Sequence, residues 1–214
     1  MANLTSLLAL SDSRLPTGGH VHSGGVEEAI TSGLVADLTT LRAYLQRRVR
    51  STGLVTASLA AAVHSGALSA ASGASGDAET DARTPAPAAR HASRAQGRGL
   101  LRLARRVWPD QEWRALGPTP HLAVAAGAVG RASGLEPRHT ALSVVYTTMT
   151  GSATAAQRLL ALDPGDVAAV TFELSQLCEE TAADATRDLA DLSDPLLDVL
   201  AQRHIERERP LFAS

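Results

Sequence analysis

Few residues of this 214-residue chain have the type and spacing that chemistry needs. The most suggestive are His20 and His22, an H-x-H pair. In an extended segment their side chains share one face and could ligate a metal together; in a turn they diverge. No Cys or acidic cluster stands beside them, so the competing reading is a structural or solvated pair. Gly18 and Gly19, ahead of a helix, could offer backbone N–H groups to an anion, or could simply make a tight turn. Cys178 falls mid-helix among Leu174, Leu177 and Thr181, the setting of a buried small residue more than of a nucleophile. His64, His91, His121, His139 and His204 are scattered, with no H-E-x-x-H spacing. Thr150–Gly151–Ser152–Ala153–Thr154 is the nearest approach to a G-x-S-x-G nucleophile elbow and does not match it.

Composition removes further classes. The chain contains no Lys. A P-loop nucleotidase and a Schiff-base enzyme both require one. Arg, which carries the positive charge instead, favours bidentate carboxylate pairs and interfaces, although biased codon usage explains the same excess. The net charge of −2 lacks the basic footprint of a nucleic-acid binder. A single Cys excludes an intrachain disulfide and suits a reducing compartment. Residues 1–10 have neither the basic start nor the long apolar run of a signal peptide, and no run of about twenty apolar residues predicts a membrane span. A cytoplasmic location is expected.

The elements that must position these residues read as helices throughout. Hydrophobic residues make up 44% of the chain but aromatic ones 3%, so the apolar material is Ala, Leu and Val, which lets helices approach closely. After a short apolar segment, Leu4 to Leu10, a Pro-Gly-Gly loop leads to a helix over 26–34, with Glu27 and Glu28 in its first turn. Leu38, Leu41, Leu45 and Val49 mark an amphipathic helix whose arginines, Arg42, Arg47, Arg48 and Arg50, mostly face water. Residues 54–64 are apolar nearly all round, which predicts a buried helix. The stretch 69–89, rich in Ser, Gly, Ala and Asp and holding Pro85 and Pro87, reads as a mobile connector. Helix resumes near His91, and another spans 121–132 with Gly127 and Gly130 inside it. A glycine there costs roughly 1 kcal/mol against alanine and makes sense where another backbone packs against it. Further helices follow over 139–162, 167–192 and 196 to about 207, and Pro210 leaves an apolar tail with no evident partner in the chain. No alternating strand pattern persists. The expectation is an all-α, single-domain helical bundle. Near-uncharged helices at 54–64 and 139–162 either fill the core or leave apolar surface for partners.

A set of collinear motifs resembles one known family. Leu15–Pro16–Thr17–Gly18–Gly19 followed by Ser23, Gly25 and Glu27 looks like the N-terminal motif of the UreF family. Arg90, Ala92–Ser93, Gly97 and Leu100–Leu101 resemble its next helix, and His121 with Gly127 the one after. Ser152, Ala156 and Arg158–Leu159 resemble a later segment, and Asp198, His204 and Leu211–Phe212–Ala213–Ser214 its terminus. His20–Val21–His22 replaces an aromatic-containing segment, Pro210 stands where the family usually has Arg, and Pro85 and Pro87 interrupt a usually helical region.

The resemblance implies an all-α fold that forms a homodimer, binds the accessory protein UreD (UreH in some organisms) and recruits the GTPase UreG. The assembly delivers nickel to apo-urease, and no tightly bound cofactor or catalytic residue is implied for the UreF chain itself. The implied UreD-binding residues are Asp198 and His204 of the C-terminal helix and Leu211, Phe212 and Ser214 of a docking tail over 208–214. Pro16, Gly18, Gly19, Ser23, Glu27, Arg94 and Gly97 are candidates for shaping the dimer or the platform for the GTPase. Two rival readings stand beside this one: a metal-binding enzyme using His20 and His22, and a plain structural helical dimer.

Overall fold

The computed structural model describes residues 4–17, 19, 22–192, 194–204, 211 and 212. The described residues form helices and connecting turns, with no β-strand among them. The helices are α1 Leu4–Leu10, α2 Val26–Thr31, α3 Leu38–Arg48, α4 Leu54–Ser65, α5 Ser75–Ala82, α6 Pro87–Val107, α7 Leu122–Ala132, α8 Pro137–Leu160, α9 Pro164–Glu173, α10 Ser175–Asp184 and α11 Pro195–His204.

The core forms around α8. This helix touches α1, α2, α3, α4, α7, α9 and α10, which its sequence allows because a nearly uncharged helix can be enclosed on several sides. Ala141, Val144, Val145, Met149, Ala153 and Ala156 of α8 pack with Leu41 and Leu45 of α3 and with Ala57, Ala60 and Ala61 of α4. The apolar surface of α4 is turned inward, since Val55, Leu59, Ala60 and Val63 are all buried. Its close packing on α7 depends on Gly127, where an added Cβ would lie 2.5 Å from the Ala60 carbonyl oxygen. The helix-interior glycine thus marks an approach of two backbones.

Local signals set most ends. Asp37 caps α3 in a capping box with Thr40, accepting from Thr40 N at 2.8 Å. Pro87, Pro137 and Pro164 each occupy the first turn of a helix, where a missing N–H costs nothing. Pro85 therefore falls between α5 and α6, Pro87 opens α6, and neither breaks a helix. Between α3 and α4 a π-helical turn, Val49–Gly53, keeps the chain helical from Leu38 to Ser65. Such turns insert one extra residue and re-aim the side chains that follow.

Two expectations need correction, and the segment read as a connector contains a helix. The stretch 69–89 contains α5, held by polar contacts: Ser69 N donates to Ser75 Oγ at 2.8 Å and Gly76 N to the Ser69 carbonyl at 3.0 Å. A helix tied down this way has no apolar stripe to reveal it. The helix expected over 167–192 begins at Pro164, because Asp163 caps it through the Gly165 and Asp166 amides. It breaks at Leu174, which is buried, and α10 ends at Asp184. The break lets Val167 and Val170 of α9 and Cys178 and Ala182 of α10 all join the same core. Finally, the tail is not without an intrachain partner, because Leu211 and Phe212 are bonded to Glu27.

Candidate functional site

The N-terminal motif and the tail converge on one carboxylate. Glu27 lies in the first turn of α2, and its side chain is almost wholly buried. His204, the last residue of α11, donates from Nε2 to Glu27 Oε2 at 2.8 Å. The Leu211 amide donates to Oε1 at 2.9 Å and the Phe212 amide to Oε2 at 3.0 Å. Burial by itself would push the Glu27 carboxyl up, but the two amides and His204 outweigh it and hold the group below its usual range.

The turn preceding α2 is fixed from three sides. The Ser23 carbonyl accepts from Ser152 Oγ of α8 at 3.0 Å. The Gly24 carbonyl accepts from Tyr44 Oη at 2.8 Å and from an Arg48 guanidinium nitrogen at 2.7 Å. Burial pushes the Tyr44 phenol up to about 12, so it stays a donor at every physiological pH. The π turn follows directly on Arg48. Arg47, its neighbour, forms a bidentate pair with Asp194, Nε–Oδ2 2.6 Å and Nη2–Oδ1 2.8 Å, and Asp194 in turn accepts from Leu197 N in the first turn of α11. Arg47 is exposed as expected and also fastens α11 to α3, whereas Arg48, expected to face water, is half-buried and holds the turn before α2.

A second polar cluster closes α5, α6 and α7. His121 is fully buried, with Nε2 donating to Asp81 Oδ1 at 2.9 Å and Nδ1 facing Ser93 Oγ at 3.0 Å. Ser93 Oγ also accepts the Leu122 amide at 3.2 Å, and Asp77 accepts the His121 amide at 3.1 Å, so these two side chains cap α7. Arg94 spans Asp81 (2.8 Å) and the Thr119 carbonyl (3.0 Å). Burial lowers the basicity of His121, the Asp81 bond opposes that, and the net effect keeps the ring neutral. Ser93, His121 and Asp81 have the composition of a catalytic triad. Their hydrogen bonds are instead the joints of a helix corner, with the imidazole enclosed. At Gly97 an added Cβ would strike the Pro120 and His121 backbone, which fixes α6 against this corner.

The loop over 15–17 crosses α6 nearby, with the Thr17 carbonyl close against Gly99. A cavity of about 710 Å³ lies between this loop, α4, α6, α8 and α11, and its walls include Pro16, Gly19, His22, Arg48, Ser152 and Asp198. The donors there are mostly hydroxyls and guanidinium groups. Asp194 is paired with Arg47, and burial pushes the Asp198 carboxyl up.

The structure therefore gathers Ser23, Glu27, His204, Leu211 and Phe212 into one junction and places Arg94 and Gly97 in a separate corner. Ser23, Glu27, Gly97 and His204 are buried. Pro16 and Leu211 are exposed, and Asp198 and Phe212 are half-buried. Gly18, His20 and Ser214 lie outside the described residues, as does most of the tail over 208–214. The H-x-H pair is thus described at His22 alone. Among the described residues no group of three His, Cys, Asp or Glu is placed to hold a metal ion. Cys178 is buried and its thiol is pushed up to about 11, first by burial and then by Glu179. Sequence reasoning missed Tyr44, Arg48 and Asp194. Periodicity places Arg48 on the polar face of its helix, and nothing local announces that a carbonyl waits there.

Comparison with known proteins gives a consistent result. The family model described as UreF matches residues 35–175, the helical core without the N-terminal motif or the tail. The urease accessory protein UreF of Mycolicibacterium vanbaalenii (strain PYR-1) is 81% identical over 214 residues, covering all of both chains. The UreF proteins of Mycobacterium sp. (strain JLS) and Mycobacterium tuberculosis (strain H37Rv) are 75% and 69% identical, again over the whole of both chains.

Proposed function

The chain belongs to the UreF family of urease accessory proteins, and from that premise we propose that it is a cytoplasmic scaffold for nickel insertion into apo-urease, with no chemistry of its own. It acts as a homodimer that bridges UreD (or UreH) and the GTPase UreG and regulates GTP-dependent assembly of the metallocentre. Nickel is cargo of the assembly and not a resident cofactor of this chain.

One observation carries this reading: the tail is fastened at Glu27 by its backbone amides while Leu211 remains 78% exposed. A segment held through its main chain leaves an outward side chain, here Leu211, free for a partner. Removing residues 210–214 and co-purifying with UreD tests the assignment. Loss of UreD is expected; undiminished co-purification would sink it. Pull-down with UreD, UreG and urease, followed by nickel-dependent activation, separates a scaffold from a metal enzyme, which would bind nickel stoichiometrically by itself.

A further inference from the structure

The electrostatics of α6 are unlike those of the rest of the chain. The helix carries Arg90, Arg94, Arg98, Arg102, Arg105 and Arg106 and no acidic residue, in a chain of net charge −2. Arg94 is engaged in the α5–α7 corner. Arg98, Arg102, Arg105 and Arg106 are exposed, and among the described residues no carboxylate pairs with them.

At 100° per residue these four share one arc of the helix, with exposed His91 on the same side, and they run for about 12 Å along the axis at 1.5 Å per residue. Their spacing sets Arg98 against Arg102, and Arg102 against both Arg105 and Arg106. Like charges at such spacings destabilise a helix. The C-terminal end of the helix dipole offsets the charge of Arg105 and Arg106, but Arg98 and Arg102 are too far from that end to benefit. The nearest acids in sequence are Asp110 and Glu112. The Glu112 carboxylate accepts the Arg114 amide, and neither acid reaches the stripe.

We propose that this arginine face docks an acidic protein surface, a helix or loop presenting carboxylates at i, i+4 spacing. The proposal rests on the reading that the chain works through protein contacts, and adds which face and which chemistry it uses. Guanidinium groups at helical spacing match carboxylates bidentately. A lipid surface would need an apolar face to insert, but Leu100, Leu101 and Ala104 of α6 are committed to the core. A nucleic acid would be favoured by exposed aromatic rings beside the charges, and Trp108 at the end of the stripe is partly buried against the core.

The test uses the full chain and measures association with purified UreD, UreG and apo-urease at about 50 mM and about 500 mM salt, a range over which screening of exposed charges becomes nearly complete. The triple variant Arg98→Gln/Arg102→Gln/Arg106→Gln should slow association with at least one of the three about tenfold at low salt, with the difference shrinking at high salt. A control triple, Arg50→Gln/Arg131→Gln/Arg187→Gln, should retain wild-type rates. Circular dichroism checks that both variants fold. The proposal is overturned if the α6 variant keeps wild-type rates and salt dependence with every partner, or if the control slows equally. It is also overturned if the α6 variant binds all three normally and loses affinity for an RNA oligomer instead. Wild-type protein that binds none of the three overturns the scaffold reading, and this proposal with it.

Discussion

Glu27 and His204 are 177 residues apart in sequence and 2.8 Å apart in space. The bond joins the first turn of α2 to the end of α11, and the same carboxylate holds the Leu211 and Phe212 amides. Three donors converge on one buried anion, so removing the charge affects all of them together. Glu27→Gln keeps the shape but replaces an acceptor-only group with one that also donates. Hydrogen bonds to a buried charge contribute roughly 1.5–3 kcal/mol, so a loss of about 2 kcal/mol in urea denaturation is expected. Hydrogen exchange at the Leu211 and Phe212 amides should accelerate in the same variant. Unchanged exchange at those amides would show that Glu27 does not hold the tail.

The same group dictates an acid response. Its pKa is lowered in the folded chain, so its contribution to stability is complete above its unfolded value, about 4.3, and is lost as pH falls through the folded value. The wild-type chain should lose stability relative to Glu27→Gln in that interval, and the two curves should run parallel above about pH 5. Chemical denaturation at a series of pH values checks this. Parallel curves throughout would mean that the carboxylate is not specially held.

Two histidines act at higher pH. Burial, then the Arg131 charge, lowers His64, which is hydrogen-bonded to Thr140 Oγ1 at 2.8 Å. Burial also lowers His121, against the pull of Asp81. Below about pH 6.5 the unfolded chain takes up protons that the folded chain refuses, so stability falls as pH drops from 6.5 toward the folded values. His121→Asn should flatten that slope, read from urea midpoints between about pH 5 and 7.

Much of the fold was legible because its signals are local. The Leu38, Leu41, Leu45 and Val49 stripe and the apolar run over 54–64 each depend on a few neighbouring residues, and each marks a helix with a buried face. Gly127 was legible through its cost, since a glycine inside a helix points to a close neighbour. The break at Leu174 was not, because a hydrophobic stripe runs on through a kink as long as both halves face the same core. Nor was α5, whose anchors are hydroxyls and carboxylates spread through polar sequence. In the junction, Glu27 and His204 were recognisable as motif members but not as partners, since spacing says nothing about residues brought together by the path of a whole bundle.

Glycine substitutions separate close packing from open space. Gly97→Ala and Gly127→Ala each drive a methyl into a neighbouring backbone, Pro120–His121 and Ala60 respectively. Overpacking of this kind costs about 1–3 kcal/mol, or a fall of roughly 2–12 °C in Tm for a chain of this size. Gly151→Ala should do the opposite, because nothing lies within 4 Å of its Cβ position inside α8. Alanine there gains roughly 0.5–1 kcal/mol of helix propensity. Calorimetry on the three variants tests the contrast, and a destabilising Gly151→Ala would show that the α8 backbone is more crowded there than its geometry indicates.

The tail offers the sharpest division between folding and partner contact. Phe212 is half-buried and packs against the main core, whereas Leu211 is 78% exposed beside it. Phe212→Ala removes contacts within the chain and should cost about 1–2 kcal/mol, less than full burial would imply. Leu211→Asp removes nothing from the core, and exposed substitutions of this kind usually stay within about 0.5 kcal/mol. If the tail docks a partner through its outward face, Leu211→Asp should nevertheless abolish co-purification with UreD, because the new carboxylate would be buried unpaired in the interface. Phe212→Ala should weaken the same contact in proportion to the lost order of the tail. Thermal denaturation and UreD pull-down on the two variants give four readings. Normal UreD binding by Leu211→Asp would remove the exposed face of the tail from the interface and leave its fastening at Glu27 as a matter of folding alone.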